Sequence, residues 1–286
     1  MKEIKLIECP RDAMQGLHDF IPTEKKASYI NALLKVGFDT IDFGSFVSPK
    51  TIPQLRDTKE VLSLLNLTNT KSKLLAIIAN VRGAEEAATF DEITYLGFPF
   101  SISEEFQKRN TNSTIEESLK RVEEIQKICV QKKKQLVIYI SMGFGNPYGE
   151  PWNADIVMRW VKKLSGLGIG IMALADTIGV SNPENITHLF THLIPECKEI
   201  EFGAHLHSNP ANWKEKIEAS YKSGCHRFDS AMKGIGGCPM ASDDLVGNIA
   251  TENMVDFFER QNIALNLDKD AFSLAMNLAN VTFNGL

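Results

Sequence analysis

Residues 171–207 read IMALADTIGVSNPENITHLFTHLIPECKEIEFGAHLH. A short apolar run, IMALA (171–175), stops at the polar pair Asp176-Thr177. Asn182-Pro183-Glu184 then opens a helical stretch, with proline at the position where its missing N–H costs nothing. A second apolar-rich run, EIEFGAH (199–205), ends in His205-Leu206-His207. Strand, helix and strand joined by short links form a parallel crossover unit. In this unit the ionisable residues gather at the carboxyl ends of both strands.

The same alternation extends in both directions. Strands are expected at IKLIE (4–8), TIDFG (40–44), LLAIIA (74–79), EITYLG (92–97), LVIYIS (136–141) and HRFDS (226–230), which with the two above make eight. Most are continuous apolar runs, as a parallel sheet covered on both faces requires. Between them, Thr23 can cap a helix carrying Ala27, Ile30, Leu33 and Leu34 at a 3.6 period, and Gly37 stops it. Ser113 and Glu116 form a capping-box pattern ahead of Ile115, Leu119, Val122 and Ile125. The run Gln131-Lys132-Lys133-Lys134 reads as a solvated helix end. No linker or low-complexity tract divides the chain, so one domain over 1–286 is expected. Eight repeats in this length match an α/β (β/α)8 TIM barrel, commonly about 250 residues long, with its site at the carboxyl ends of the strands. The rival, a doubly wound open sheet, lacks the G-x-G-x-x-G turn after strand 1 that would support it.

Composition narrows the function classes. Of 286 residues, 43% are hydrophobic and 23% charged, which excludes a disordered chain. No apolar run approaches the roughly 18 residues of a membrane span. A net charge of −5 with no basic stripe argues against nucleic acid. The start, MKEIKLIECP, reads as the first strand and not as a signal-peptide core. Five cysteines without paired spacing suggest reduced thiols and a cytoplasmic location. The expected partner is a small molecule, neither nucleic acid nor membrane, and a homodimer is compatible with the sequence.

The strand ends can be searched for chemistry. His205 and His207 sit at i and i+2, so both imidazoles can face one ion at the barrel mouth; the plainer reading is two histidines bonded to loop backbone. Asp12, just after strand 1, is the candidate acidic partner, or else a turn cap. Nitrogen and oxygen ligands with open positions suit Mg²⁺ or Mn²⁺ better than zinc, for which no thiolate cluster is present. Arg11 offers planar donors to a carboxylate or oxyanion, or pairs structurally with Asp42 or Asp176. Cys238, in the glycine-rich GIGGCP (234–239), is a candidate acid, base or nucleophile, or an incidental small residue. His188 and His192 also have a metal-compatible spacing, but a peripheral helix without carboxylates makes a solvated face the better reading. Cys129 and Cys225 need no role beyond packing. Lys50 and Arg109 are either phosphate partners or surface charge.

Several strings together resemble the hydroxymethylglutaryl-CoA lyases: Glu8-Cys9-Pro10-Arg11-Asp12 with Gln15, Ser45-Phe46-Val47-Ser48-Pro49-Lys50 with Pro53-Gln54, SEEFQKRNTNSTIEES (103–118), Asp176-Thr177-Ile178-Gly179-Val180, the H-x-H pair, GIGGCPMA (234–241) and GNIATE (247–252). The resemblance runs from residue 8 to about residue 253. It implies a metal-dependent TIM barrel that cleaves 3-hydroxy-3-methylglutaryl-CoA, an acyl-CoA substrate, to acetyl-CoA and acetoacetate. By resemblance, Asp12, His205, His207 and Asn248 hold the divalent cation, and Arg11 steadies the enolate oxygen. Cys238 takes part in proton transfer on its loop, and Asp42 and Asp176 support the acid–base network, with a carboxylate or His205 removing the hydroxyl proton. The chain departs from the family at Asp42, where glutamate is usual, at Ala173, where serine is usual, at Ser208, where an acid is usual, and at Ala13-Met14, where Gly-Leu is usual. These departures leave a related lyase or aldolase, acting on another 3-hydroxy acyl-CoA or hydroxy acid, as the alternative.

Overall fold

A computed structural model describes residues 3–237 and 246–283. Its eight strands are β1 (Lys5–Glu8), β2 (Thr40–Ser45), β3 (Lys73–Ile77), β4 (Ile93–Ser101), β5 (Gln135–Ser141), β6 (Ile171–Ala175), β7 (Glu201–His205) and β8 (Arg227–Ser230). They close in sequence order into a barrel, every neighbouring pair parallel, with β8 returning to β1. All eight expected strands are present, and the open-sheet rival is excluded by this closure.

The helices in chain order are α1 (Pro10–Gln15), α2 (Thr23–Val36), α3 (Thr58–Ser63), α4 (Val81–Ala87), α5 (Glu104–Thr111), α6 (Ile115–Gln131), α7 (Ala154–Ser165), α8 (Pro183–Glu196), α9 (Trp213–Lys222), α10 (Thr251–Arg260) and α11 (Lys269–Phe283). Two helix starts differ from expectation. Thr23 is the first residue of α2 and not its cap, and its hydroxyl donates to Asp57 at 2.8 Å. On α6 the capping box is Thr114 with Glu117, one residue beyond Ser113 and Glu116, because the Ser113 hydroxyl is held by Thr111. The stop at Gly37 is as expected, with φ 95°, and Asn182 caps α8 with Pro183 following it. Strand β4 runs four residues past its expected end at Gly97. Beyond Gly97 it pairs only with β5, through Ser101, and pairing on one side tolerates Pro99.

Alternation along the strands sorts the side chains between two compartments. Outward residues such as Leu6, Phe43, Leu74, Phe98, Phe202 and Phe228 join the large core beneath the helices. Leu75, Ile77, Tyr95, Val137, Tyr139, Ile171 and Ala173 form a separate apolar cluster on the β3–β6 side. The β7–β8 side carries ionisable residues on the same parity: His205 pairs with Asp229 across the ladder, and Gly203 with Arg227. Burying charge in half of a barrel interior is costly unless it is paired, and here it is paired: Arg227 meets Glu201 at 3.2 Å and Asp229 meets His205 at 3.1 Å.

Glu8, fully buried on the outward face of β1, ties down both ends of the β8–α10 connection. Its Oε1 accepts from Met232 N at 2.8 Å and its Oε2 from the Thr251 hydroxyl at 2.5 Å. Burial pushes this carboxyl up from 4.5 to about 8, although the two hydrogen bonds pull the other way. Because the folded value is raised, this stability is fully present below pH 4.5 and is lost progressively up to about pH 8. The slope is about 1.4 kcal/mol per pH unit within that window. Denaturant melts across the window should show this decline in the parent chain and a flatter profile in Glu8→Gln, whose amide oxygen can accept from Met232 N while its NH2 donates to the Thr251 hydroxyl. Parallel profiles would remove Glu8 as its source.

Candidate active site

The carboxyl ends of the strands open into a cavity lined by Arg11, Asp12, Gln15, Tyr139, Ser141, Thr177, His205 and His207, with Val47, Ile77, Pro99 and Phe106 as apolar wall. Strand β1 passes into the six-residue helix α1, which carries Arg11 and Asp12 to this rim. His205 is the last residue of β7, and His207 is held two residues on by an antiparallel bridge to Asn248.

Asp12, His205 and His207 bring one ligand atom each to within 4.8 Å of one another, all three residues being buried. The Asp12 carboxylate is the hub. Its Oδ1 accepts from Arg11 Nη1 at 2.9 Å and Gln15 Nε2 at 2.6 Å, and its Oδ2 from the Asn248 amide at 2.6 Å. Burial alone would raise this carboxyl, but Arg11 and the surrounding donors bring it down to about 2. His207 behaves oppositely. Burial, with His205 adding to it, lowers its imidazole to about 4. Neither of its ring nitrogens has a hydrogen-bond partner among the described residues. A buried neutral imidazole with an unused lone pair beside an ionised carboxylate is the donor chemistry of a divalent cation site. His205 is fixed by Asp229, whose Oδ2 lies 3.1 Å from Nδ1, and by the edge of the Tyr139 ring at 5.5 Å. Asp229 raises the basicity of His205 against the opposing effect of burial. The plainer reading, histidines bonded to loop backbone, does not describe these side chains.

Arg11 pairs with Asp42, not with Asp176. Its Nε lies 3.0 Å from Asp42 Oδ2, and its Nη2 donates to the same oxygen. Nη1 also donates to Gln15 Oε1 at 2.9 Å. Of five guanidinium N–H groups, these contacts use four, and one on Nη2 remains among the described residues. Burial pushes the Asp42 carboxyl up to about 6, with Arg11 pulling against it, and Arg11 itself stays charged between two carboxylates.

Asp42 and Asp176 do not line the cavity. Asp176 is 1% exposed, and its carboxylate accepts from Ser181 N at 3.0 Å, the Ser181 hydroxyl at 2.5 Å and Lys216 Nζ at 2.8 Å. Three hydrogen bonds thus hold the Asp176 carboxylate in place behind the cavity. Lys216, from α9, also donates to the carbonyl of His207 at 2.7 Å. Sequence reasoning passed over Lys216, one lysine among many on a helix. It also passed over Asp229, whose signal was available: an acid on β8 in the same layer as His205.

The described start of the β8–α10 connection passes close to Asp12 at Gly236. Gly236 has φ 116°, and a side chain there would overlap the Asn248 amide and approach Asp12 Oδ2 within 3.0 Å. Glycine at 236 is therefore a requirement of close approach. Cys238 lies outside the described residues. His188 and His192 are exposed on α8, with His192 Nδ1 2.6 Å from the His188 carbonyl, and no carboxylate joins them in a metal group among the described residues. Arg109 pairs with Glu105 at 2.7 Å and stacks over Tyr148, and Lys50 is exposed.

Comparison with known proteins gives consistent likenesses. The family model described as HMGL-like matches residues 4–278. The mitochondrial hydroxymethylglutaryl-CoA lyase of Arabidopsis thaliana is 31% identical over 93% of this chain, which spans 57% of that protein's length. The cytoplasmic 3-hydroxy-3-methylglutaryl-CoA lyase of Homo sapiens is 31% identical over 88% of this chain and 68% of its own. Among solved structures, the HMG-CoA lyase of Acinetobacter baumannii in complex with coenzyme A and 3-methylmalate superimposes with a TM-score of 0.90 at 31% identity, covering 98% of this chain and 91% of that one. Among the described residues no helix is long and apolar enough to cross a membrane.

Proposed function

The chain belongs to the HMGL-like family, and from that membership we propose that it is a carbon–carbon lyase cleaving 3-hydroxy-3-methylglutaryl-CoA to acetyl-CoA and acetoacetate. The observation that carries the reading is the meeting of Asp12, His205 and His207 ligand atoms within 4.8 Å, at the cavity where Arg11 keeps one free N–H. Asp12, His205, His207 and Asn248 would hold Mg²⁺ or Mn²⁺. When bound, such a cation lowers the pKa of a tertiary hydroxyl and orients the substrate.

The protein's own groups supply the rest. Cleavage of the C2–C3 bond leaves an enolate on the thioester, and the remaining Nη2 N–H of Arg11 is the donor for its oxygen. Asp42 and Asp12 grip the guanidinium from two sides, so it need not reorganise as charge develops. One such donor is worth roughly 3 kcal/mol. Besides Arg11 and Tyr139, whose phenol burial holds protonated, Asp12, His205 and His207 are the described ionisable groups on the cavity wall, so acceptance of the hydroxyl proton falls to one of them and not to Asp42 or Asp176. Those two carboxylates are positioning residues, for Arg11 and for the β7 end. Cys238 takes the role of proton donor to the carbanion. The apolar wall of Val47, Ile77, Pro99 and Phe106 excludes water from the enolate.

The test is release of acetoacetate from 3-hydroxy-3-methylglutaryl-CoA with added Mn²⁺ or Mg²⁺, with and without chelator. Turnover should appear with metal and vanish with chelator. Metal uptake without acetoacetate, alongside cleavage of another 3-hydroxy acyl thioester, would transfer the reading to the related-lyase alternative. Release undiminished by chelator would remove the metal from it.

A further inference from the structure

His205 faces two ways. On one side it meets Asp12 and His207; on the other it joins a second cluster, Cys9, His205 and Asp229, whose ligand atoms also lie within 4.8 Å of one another. All three residues of this deeper group are buried. Cys9 is completely shielded, its thiol making only a long 3.7 Å contact to the Ile7 carbonyl. Asp229 spends Oδ2 on His205 Nδ1, while its Oδ1 is buried without a hydrogen-bond partner among the described residues. An unsatisfied carboxylate oxygen at this depth costs free energy that a bound cation would recover. The donors differ in kind from those above: sulfur, nitrogen and one oxygen form a set for soft or borderline cations, not for Mg²⁺.

We propose that Cys9, His205 and Asp229 form a second cation site, for Zn²⁺ or Cd²⁺, stacked beneath the cavity and sharing His205 with it. As the metal–sulfur bond forms, the Cys9 thiol releases its proton to solvent. When Nδ1 joins the metal, the imidazole proton it shares with Asp229 moves to the other ring nitrogen, and His205 can no longer serve Asp12 and His207. Occupation of the lower site therefore opposes occupation of the upper one, and a soft cation switches off the activity that a hard one supports. The binding itself does not depend on the lyase reading; only the loss of activity rests on it.

Cadmium provides the probe, because a thiolate–cadmium bond adds an ultraviolet charge-transfer band. Cd²⁺ titrated into the full chain should produce this band and release bound Mn²⁺, followed by the paramagnetic signal of the free ion. In Cys238→Ser, which removes the thiol of the GIGGCP segment, the band should persist. In Cys9→Ser and Cys9→Ala it should disappear, with cadmium affinity falling roughly 100-fold or more, while Mn²⁺ uptake is retained and certifies the fold. Asp229→Asn should weaken cadmium binding by roughly 10-fold. A band that survives in both Cys9 variants, or that is lost in Cys238→Ser, would overturn the proposal, as would saturation with Cd²⁺ that leaves Mn²⁺ in place. None of these readouts requires turnover, so an absence of acetoacetate would count against the lyase reading and leave this one standing.

Discussion

His207→Leu is expected to abolish metal-stimulated turnover without harming the fold. Both ring nitrogens of His207 are buried and unpartnered among the described residues, so the unliganded protein carries the desolvation of a polar ring with nothing returned. Leucine of similar volume removes that cost, and stability in chelator should stay level or rise by about 1–2 kcal/mol. Mn²⁺ affinity should fall more than roughly 100-fold, beyond the usual effect of an outer-shell partner. Turnover should drop by about 10³-fold, equivalent to several kcal/mol of lost charge stabilisation. A histidine present for structure would give the reverse pattern, a lower melting temperature with activity in the surviving fraction. Calorimetry with chelator beside a manganese titration separates the two.

The second large effect concerns Lys216, whose ammonium is fully buried between Asp176 and the carbonyl of His207. Lys216→Met leaves the Asp176 carboxylate without its counter-charge in a dry setting. Breaking a buried pair from one side costs about 3–5 kcal/mol, or a fall in Tm of roughly 10 °C for a chain of this size. Lys216→Met combined with Asp176→Leu should recover most of that loss, since no unpaired charge remains. Metal affinity should stay reduced in both variants, because the His207 carbonyl has lost its anchor in each. A single variant as stable as the parent would show that the pair contributes nothing. Restored metal affinity in the double variant would assign the effect to charge and not to the strand end.

The arrangement divides labour within a barrel mouth. Groups that touch the cavity stand in front, and each is held by a partner behind: Arg11 by Asp42, His205 by Asp229, His207 through Lys216. The apolar half of the interior, from Leu75 to Ala173, supplies rigidity without competing for hydrogen bonds. A carboxylate at 42, one methylene shorter than the glutamate expected by resemblance, still reaches Arg11, with Nε donating to both of its oxygens and Nη2 to one.

What the sequence determined by itself was the periodic part of the molecule. Eight apolar runs separated by helical stretches determine alternating strands and helices around a parallel sheet, because hydrophobic period and cap chemistry are local properties that neighbours within a dozen residues decide; closure rests on the long-range pairing of β8 with β1. The H-x-H pair and Asp12 were legible for the same reason: position at a strand end is a local fact, and the barrel makes all such ends converge. Only the tertiary structure decided who stands behind whom. Asp176 looked like a participant until Lys216, 40 residues away, was found holding it, and Arg11 had two equal candidate partners until β1 and β2 were set side by side. Asp229 gained its meaning from a ladder register, His205 against Asp229, that no single strand encodes. Pairings of charge over long loops depend on burial and on distances of a few ångströms, and these exist only once the ring has closed.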